Sequence, residues 1–169
     1  RVLFRSTSGK AEMLKLALAY DNSLIEYIND LSSTNLLTFA YTKGLICTID
    51  EECNSIRNIL NFGHTIGHAI ELKTDIKHGI SVGIGMYLIV SNEFKPIIYK
   101  KLQSIGLNLN EYFPVLKQLD LNELLNIIHN DKKNNDFINI IDLSSIGKAY
   151  MHTISLKNLE ERIKDESIW

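Results

Sequence analysis

The side chains best suited to chemistry are concentrated in Arg57-Asn58-Ile59-Leu60-Asn61-Phe62-Gly63-His64-Thr65-Ile66-Gly67-His68-Ala69-Ile70-Glu71. Arg57, Asn61, His64 and His68 follow one another at intervals of 4, 3 and 4 residues. At about 100° per residue they fall within a sector of roughly 60° on one helix face. Ile59, Phe62, Ile66 and Ile70 lie opposite, so the helix expected over 50–72 is apolar where a surface helix would be polar. A buried stripe of arginine, asparagine and histidine needs partners, because an unpaired buried charge or polar group costs several kcal/mol. Gly63 and Gly67 flank the histidines and leave room for something bulky to approach the backbone. This helix is expected to line a site.

Two histidines at i, i+4 can hold zinc in the manner of a zincin protease, but Thr65 stands where that motif needs a glutamate base. A catalytic zinc usually has three protein ligands and an open fourth position. His64 and His78, the latter followed by Gly79, are two candidates, and a carboxylate would complete the set. Glu12 is attractive because Lys15, at i+3, shares its helix face and brings a cation to the same place. By spacing alone, however, Glu12 is one acid among 20.

The elements that must position these groups are mostly helical. Leu14, Ala17 and Leu18 mark a helix over 9–20, which Asp21-Asn22-Ser23 breaks before Leu24, Ile25 and Ile28 resume the pattern. A helix is expected to start near Ser33-Thr34 and run through Leu37, Ala40 and Lys43. After the 50–72 stretch comes a short polar link at 73–77, then a buried helix over 79–94. Amphipathic segments follow near 97–105 and 120–130. Residues 137–154, rich in β-branched and apolar side chains around Ser145-Ile146-Gly147, predict a short hairpin, and 155–168 a charged helix. The fold class is mainly α, a single multi-helix domain over 1–169 with a short β-hairpin near 137–154.

Composition excludes several classes. Apolar residues make up 45% and charged residues 22% of the 169, which is ordinary for a folded chain and argues against disorder. A net charge of −2 gives no electrostatic footprint for nucleic acid or an anionic membrane, so neither is expected as a partner. No apolar run approaches the ~20 residues of a spanning helix. Cys47 and Cys53 are too few for a disulfide framework, in keeping with a reducing, cytoplasmic compartment. The chain opens on Arg1 rather than Met, as expected of a processed product or one domain of something longer.

The 57–71 motif, followed by His78-Gly79 and Gly85-Met86, resembles 3-dehydroquinate synthases and their sugar-phosphate cyclase relatives. Gly9-Lys10-Ala11-Glu12-Met13-Leu14-Lys15 is similar to the family's Gly-x-Ala-Glu-x-x-Lys motif, and Lys43, Asp50-Glu51 and Asp131-Lys132-Lys133 fall in the family's order. The resemblance implies the helical C-terminal domain of such an enzyme, with most NAD contacts on an N-terminal α/β domain. It implies Glu12, His64 and His78 as ligands of Zn2+ or Co2+, and His68 as a proton-transfer residue. Lys15, Lys43, Arg57, Asn61 and one of Lys132 or Lys133 would bind the phosphate, carboxylate and hydroxyls of a sugar-acid phosphate. Among these, Lys15 and Arg57 would stand with His68 in the catalytic set. The family turns a seven-carbon keto-sugar acid phosphate into a carbocycle by transient oxidation with NAD, phosphate elimination, reduction, ring opening and aldol closure. A metal can act there as a Lewis acid, histidine can move protons near neutral pH, and the anionic substrate calls for several cations. A chain of this kind is expected to be inactive alone and to form a homodimer when full length.

The sequence departs from the family's usual pattern at Cys53 and Ser55, at Ile80-Ser81 after His78-Gly79, and in a short link between Glu71 and His78. Alternatives therefore stay open: another sugar-phosphate cyclase, an iron-type alcohol dehydrogenase-like domain, or a catalytically silent helical domain.

Overall fold

The computed structural model describes residues 7–50, 56–131 and 137–164. Two helices form its centre. Helix α1 (Thr7–Ala19) buries Ala11, Met13, Leu14, Leu16, Ala17 and Leu18, and α4 (His78–Ile89) is buried along nearly its whole length. The β-branched and small residues of α4 let α1 pack on one side and α3 (His64–Lys73) on the other.

Between α1 and α3 the chain makes a 3₁₀ turn at Asn22–Tyr27 and then α2 (Ser33–Ile49). Asp21 ends the first helical run by accepting hydrogen bonds from the Ser23 amide (2.9 Å) and hydroxyl (2.7 Å), a side-chain turn that competes with helix continuation. Ser32 caps α2 by accepting from the Asn35 amide at 3.3 Å.

The continuous helix expected over 50–72 is not formed. Ile56–Asn61 is a 3₁₀ helix, Gly63 has φ +77°, and α3 begins only at His64. The reason lies in the crossing of α3 over α4. A Cβ on Gly63 would meet the Val82 carbonyl oxygen at 2.5 Å, and one on Gly85 would meet the Gly63 carbonyl oxygen at 2.1 Å. Only backbone fits at that contact, and only glycine adopts the left-handed turn without strain. The space beside Gly63 and Gly67 is thus filled by α4 rather than by a ligand. Arg57 and Asn61 consequently stand on a separate turn, off the helix face that carries the histidines.

Downstream, α5 (Lys95–Ser104), a 3₁₀ turn at Leu109–Glu111, α6 (Phe113–Leu116) and α7 (Leu121–Asp131) complete the helical layer. Strand β1 (Phe137–Ser145) pairs antiparallel with β2 (Lys148–Ser155) in the register Ile138 to Ile154 and Ile141 to Met151, with an irregularity between Leu143 and Ser145. The hairpin predicted from Ser145-Ile146-Gly147 is present. Its Gly147 amide donates to the Leu18 carbonyl at 2.8 Å, which pins the turn to the end of α1. Helix α8 (Leu156–Ile163) follows where a charged helix was expected over 155–168, of which 165–168 lie outside the described residues.

The hairpin, α4 and α8 meet at a buried carboxylate. Asp142 is fully buried and accepts from the Ser91 amide (3.1 Å), the Ser91 hydroxyl (2.6 Å), the Leu143 amide (2.8 Å) and the Arg162 guanidinium (2.6 Å). Burial alone would raise its pKa, but these donors outweigh it and hold the carboxyl below its ordinary value. Among the described residues no helix is long and apolar enough to cross a membrane.

Candidate functional site

Helices α1, α3 and α4 bring Glu12, Lys15, His64, His68 and His78 together at one end of the central packing. Gly79 sets the approach of α4 to α1. Its amide donates to the Ser8 hydroxyl at 3.0 Å, and a Cβ there would meet the Ser8 carbonyl oxygen at 2.1 Å. This contact carries His78, at the first turn of α4, over Glu12. The short link between Glu71 and His78 places His78 well within reach of the cluster.

The donor atoms are oriented by hydrogen bonds on their far sides. Nδ1 of His64 faces the Phe62 carbonyl oxygen at 3.3 Å, and Nδ1 of His78 faces Glu71 Oε2 at 2.8 Å. Both contacts place the ring proton on Nδ1, which leaves an Nε2 lone pair on each ring. Those Nε2 atoms lie 3.9 Å and 3.8 Å from Glu12 Oε1. Glu12 Oε1 is itself buried and has no hydrogen-bond partner among the described residues, whereas Oε2 accepts from Lys15 Nζ at 2.8 Å. The Lys15 ammonium also faces the His64 Nε2 lone pair at 3.4 Å, and a buried carboxylate oxygen left without a hydrogen bond beside two imidazole lone pairs is a place where a further cation would be stabilised.

Electrostatics agree with this geometry. Burial, together with the Lys15 charge, pushes His64 down to about 4, so the ring is neutral at physiological pH, as a metal ligand must be. Burial would raise the Glu12 carboxyl, but Lys15 by charge and hydrogen bond, with His64 and Lys43, brings it below its usual value. Lys15 is itself lowered, chiefly by burial, with Glu12 opposing.

His68 is one turn along α3 from His64 and, like His78, is exposed. Its ring centroid lies 5.2 Å from that of His64 and 5.6 Å from that of His78. One nitrogen each from His64, His68 and His78 can be grouped within 4.8 Å, so His68 is a further donor near the same point. It also lines a cavity of about 280 Å³ with Thr65, Glu71, Leu72 and Ile127 between α3 and α7. On the other side, Lys43 and Ala40 of α2 line a cavity of about 80 Å³ with Glu12 and Lys15.

Lys43 is thus brought to the cluster. Arg57 is half-buried on its 3₁₀ turn with its amide held by Asp50 Oδ2 at 2.8 Å, and Asn61 is exposed at the end of that turn. Lys132 and Lys133 lie outside the described residues, as do Cys53 and Ser55. The other departure is absorbed in packing: Ile80 and Ser81 are buried within α4, and the Ser81 hydroxyl donates to the Ile76 carbonyl. The sequence assigned Glu71 no role. Its signal was available in its place after His68, one turn further along α3, but the bond to His78 needs the α3–α4 turn to be seen.

The model of the 3-dehydroquinate synthase C-terminal domain matches residues 9–134. The chain belongs to the 3-dehydroquinate synthase family. It is 32% identical over 180 residues to the 3-dehydroquinate synthase of Thermoanaerobacter pseudethanolicus, covering 92% of this chain and 49% of that one. Against the 3-dehydroquinate synthase of Dictyoglomus thermophilum it is 34% identical, covering 92% and 48%. The chain spans about half the length of these curated relatives. Its fold also matches a crystal structure of 2-deoxy-scyllo-inosose synthase complexed with carbaglucose-6-phosphate, NAD+ and Co2+, with a TM-score of 0.71 at 24% identity over 93% of this chain and 50% of that one. A second match is a 2-epi-5-epi-valiolone synthase from Streptomyces hygroscopicus with NAD+ and Zn2+ bound, at a TM-score of 0.67 and 17% identity over 93% and 49%.

A metal implied by a 3-dehydroquinate synthase family fits the donors present. Two ligands each about 2.1 Å from one ion can lie no more than about 4.2 Å apart. The spans of 3.8 Å and 3.9 Å from Glu12 Oε1 to the two Nε2 atoms meet that limit. Each of these two pairs is therefore close enough to share an ion, and one nitrogen each from His64, His68 and His78 lies within 4.8 Å of the others.

Proposed function

We propose that this chain is the metal- and substrate-binding half of a 3-dehydroquinate synthase, which converts 3-deoxy-D-arabino-heptulosonate 7-phosphate to 3-dehydroquinate and phosphate. The observation that carries this reading is the orphaned Glu12 Oε1 pointing between the Nε2 atoms of His64 and His78, with Lys15 and Lys43 beside it. Glu12, His64 and His78 hold a divalent metal, Zn2+ or Co2+. Such an ion, when bound, polarises a substrate oxygen as a Lewis acid.

The chain's own residues do the rest of the binding and proton handling. Lys15 stays tied to Glu12 and keeps it ionised, ready as a ligand. Lys43, on the rim of the same cavity, and Arg57 and Asn61, upstream of α3, bind the anionic and hydroxyl groups of the substrate, with Lys132 or Lys133 closing the set. Arg57 is suited to grip a carboxylate at two points. His68, exposed beside the half-buried His64, moves protons between substrate and solvent, which an imidazole at the mouth of a cleft can do.

NAD binds chiefly to the half that precedes this domain in the relatives, so the chain alone does not turn over. The lysines favour an anionic sugar acid over the simple alcohol of an iron-type dehydrogenase. The test supplies NAD, the preceding half and the heptulosonate phosphate, and measures phosphate release. Release that depends on Glu12 and His64 supports the reading; no release with metal bound contradicts it.

A further inference from the structure

His78 and Glu12 are each tethered at the end that faces away from the other. Glu71 grips the back of the His78 ring at 2.8 Å, and Lys15 holds the second oxygen of Glu12 at 2.8 Å. Neither side chain can swing toward the other without giving up its partner. The 3.8 Å between His78 Nε2 and Glu12 Oε1 lies only about 0.4 Å inside the span that two ligands of one ion allow. Whatever fixes the first turn of α4 against α1 therefore decides whether this pair can share an ion.

Ser8 stands at that point. It lies one turn before Glu12 on α1, and Gly79 directly follows His78 on α4. The first N–H groups of a helix have no acceptor within it. In α4 the Ile80 and Ser81 amides reach the Lys77 carbonyl at 2.9 and 3.0 Å, but the Lys77 side chain caps nothing. The buried Gly79 amide donates instead to the Ser8 hydroxyl at 3.0 Å. Ser8 thus caps a helix other than its own.

Packing cannot replace this bond. Gly79 offers no side chain to interlock, and the next contact along the seam is again a glycine: a Cβ on Gly83 would lie 3.7 Å from that of Ala11. Contacts between such small residues set how closely the helices approach. The directional hydrogen bond sets where along α1 the first turn of α4 rests.

We infer that Ser8 is a positioning residue of the metal centre. Its hydroxyl, by accepting from the Gly79 N–H, fixes His78 at a distance from Glu12 that one ion can bridge. This rests on the metal-site reading given above. Ser8 is not itself a ligand; its influence passes through Gly79 to the backbone of His78.

The test is Co2+ binding by the 169-residue chain and its Ser8→Ala variant, followed by visible absorption, with exchange of the Gly79 amide measured by NMR. Loss of a group that orients a metal ligand typically lowers affinity by about 10- to 100-fold. Ser8→Ala is expected to weaken Co2+ binding by about tenfold or more and to move its absorption bands toward those of His78→Ala. Exchange of the Gly79 amide should quicken while that of Ser81, bonded to Lys77, holds. Leu18→Ala serves as the control for stability, since Leu18 is fully buried at the far end of α1. It is expected to lower the denaturation midpoint and keep the parent affinity and spectrum. Parent-like Co2+ affinity in Ser8→Ala overturns the inference, as does an equal loss in Leu18→Ala, which would make the effect one of stability alone. Failure of the parent chain to take up Co2+ is a separate result, which overturns the metal-site reading and the role of Ser8 with it.

Discussion

Glu71 Oε2 lies 2.8 Å from Nδ1 of His78, and the opposite nitrogen of the same ring lies 3.8 Å from the orphaned Glu12 Oε1. The ring is thus gripped at its back by one carboxylate and presented to another. Carboxylate–histidine contacts of this kind fix the tautomer and raise ligand basicity. Glu71→Ala is expected to weaken zinc affinity by about 10- to 100-fold, while Glu71→Gln, which keeps an acceptor oxygen, is expected to retain most of it. Competition with a chromophoric chelator measures both.

Lys15 holds the Glu12 carboxyl low through charge and a 2.8 Å hydrogen bond. Lys15→Met removes that influence and leaves burial, so the Glu12 pKa rises. Protonation then competes with metal at a higher pH. In a titration downward from neutrality, the variant is expected to release cobalt at a higher pH than the parent chain.

Gly85→Ala tests the packing that places the histidines. Its Cβ would meet the Gly63 carbonyl oxygen at 2.1 Å and the Gly67 nitrogen at 2.8 Å, both backbone atoms that no rotamer change can move. Overpacking of this kind typically costs about 1–3 kcal/mol. A lower denaturation midpoint is expected, together with weaker metal binding, because α3 and α4 carry His64 and His78. Chemical denaturation with and without zinc checks it.

The site and the break ahead of α3 differ in how far they can be read from residues alone. The Arg57-to-Glu71 spacing exposes a polar stripe, and the Asp21 and Ser32 side chains mark element ends because their hydrogen bonds are local. The 3₁₀ turn at Ile56–Asn61 escapes because i, i+3 and i, i+4 spacings suit either helix type. Gly63 and Gly67 read as space for a ligand because the α4 backbone that fills it comes from about 20 residues further on. Likewise, the orphan state of Glu12 Oε1 depends on three helices at once, and no periodicity encodes it.

Asp142 anchors the hairpin to α4 and α8. Its folded pKa lies below its ordinary 3.8, so its stabilisation is fully present above the unfolded value and is lost as pH falls through the folded one. Arg162→Met removes one of the groups that lower it and leaves a buried charge less well compensated, expected to cost about 3 kcal/mol near neutral pH. The folded pKa rises in the variant, so acid unfolding begins at a higher pH. Circular dichroism over an acid series measures both effects.

The most direct measurement of the central claim is metal uptake by the 169-residue chain, followed by Co2+ absorption and calorimetry. A single ion per chain is predicted, bound through two nitrogens and one oxygen. Uptake should be lost in Glu12→Ala, His64→Ala and His78→Ala and kept in His68→Ala. No uptake at millimolar metal, or uptake that Glu12→Ala leaves unchanged while His68→Ala abolishes it, would contradict the assignment.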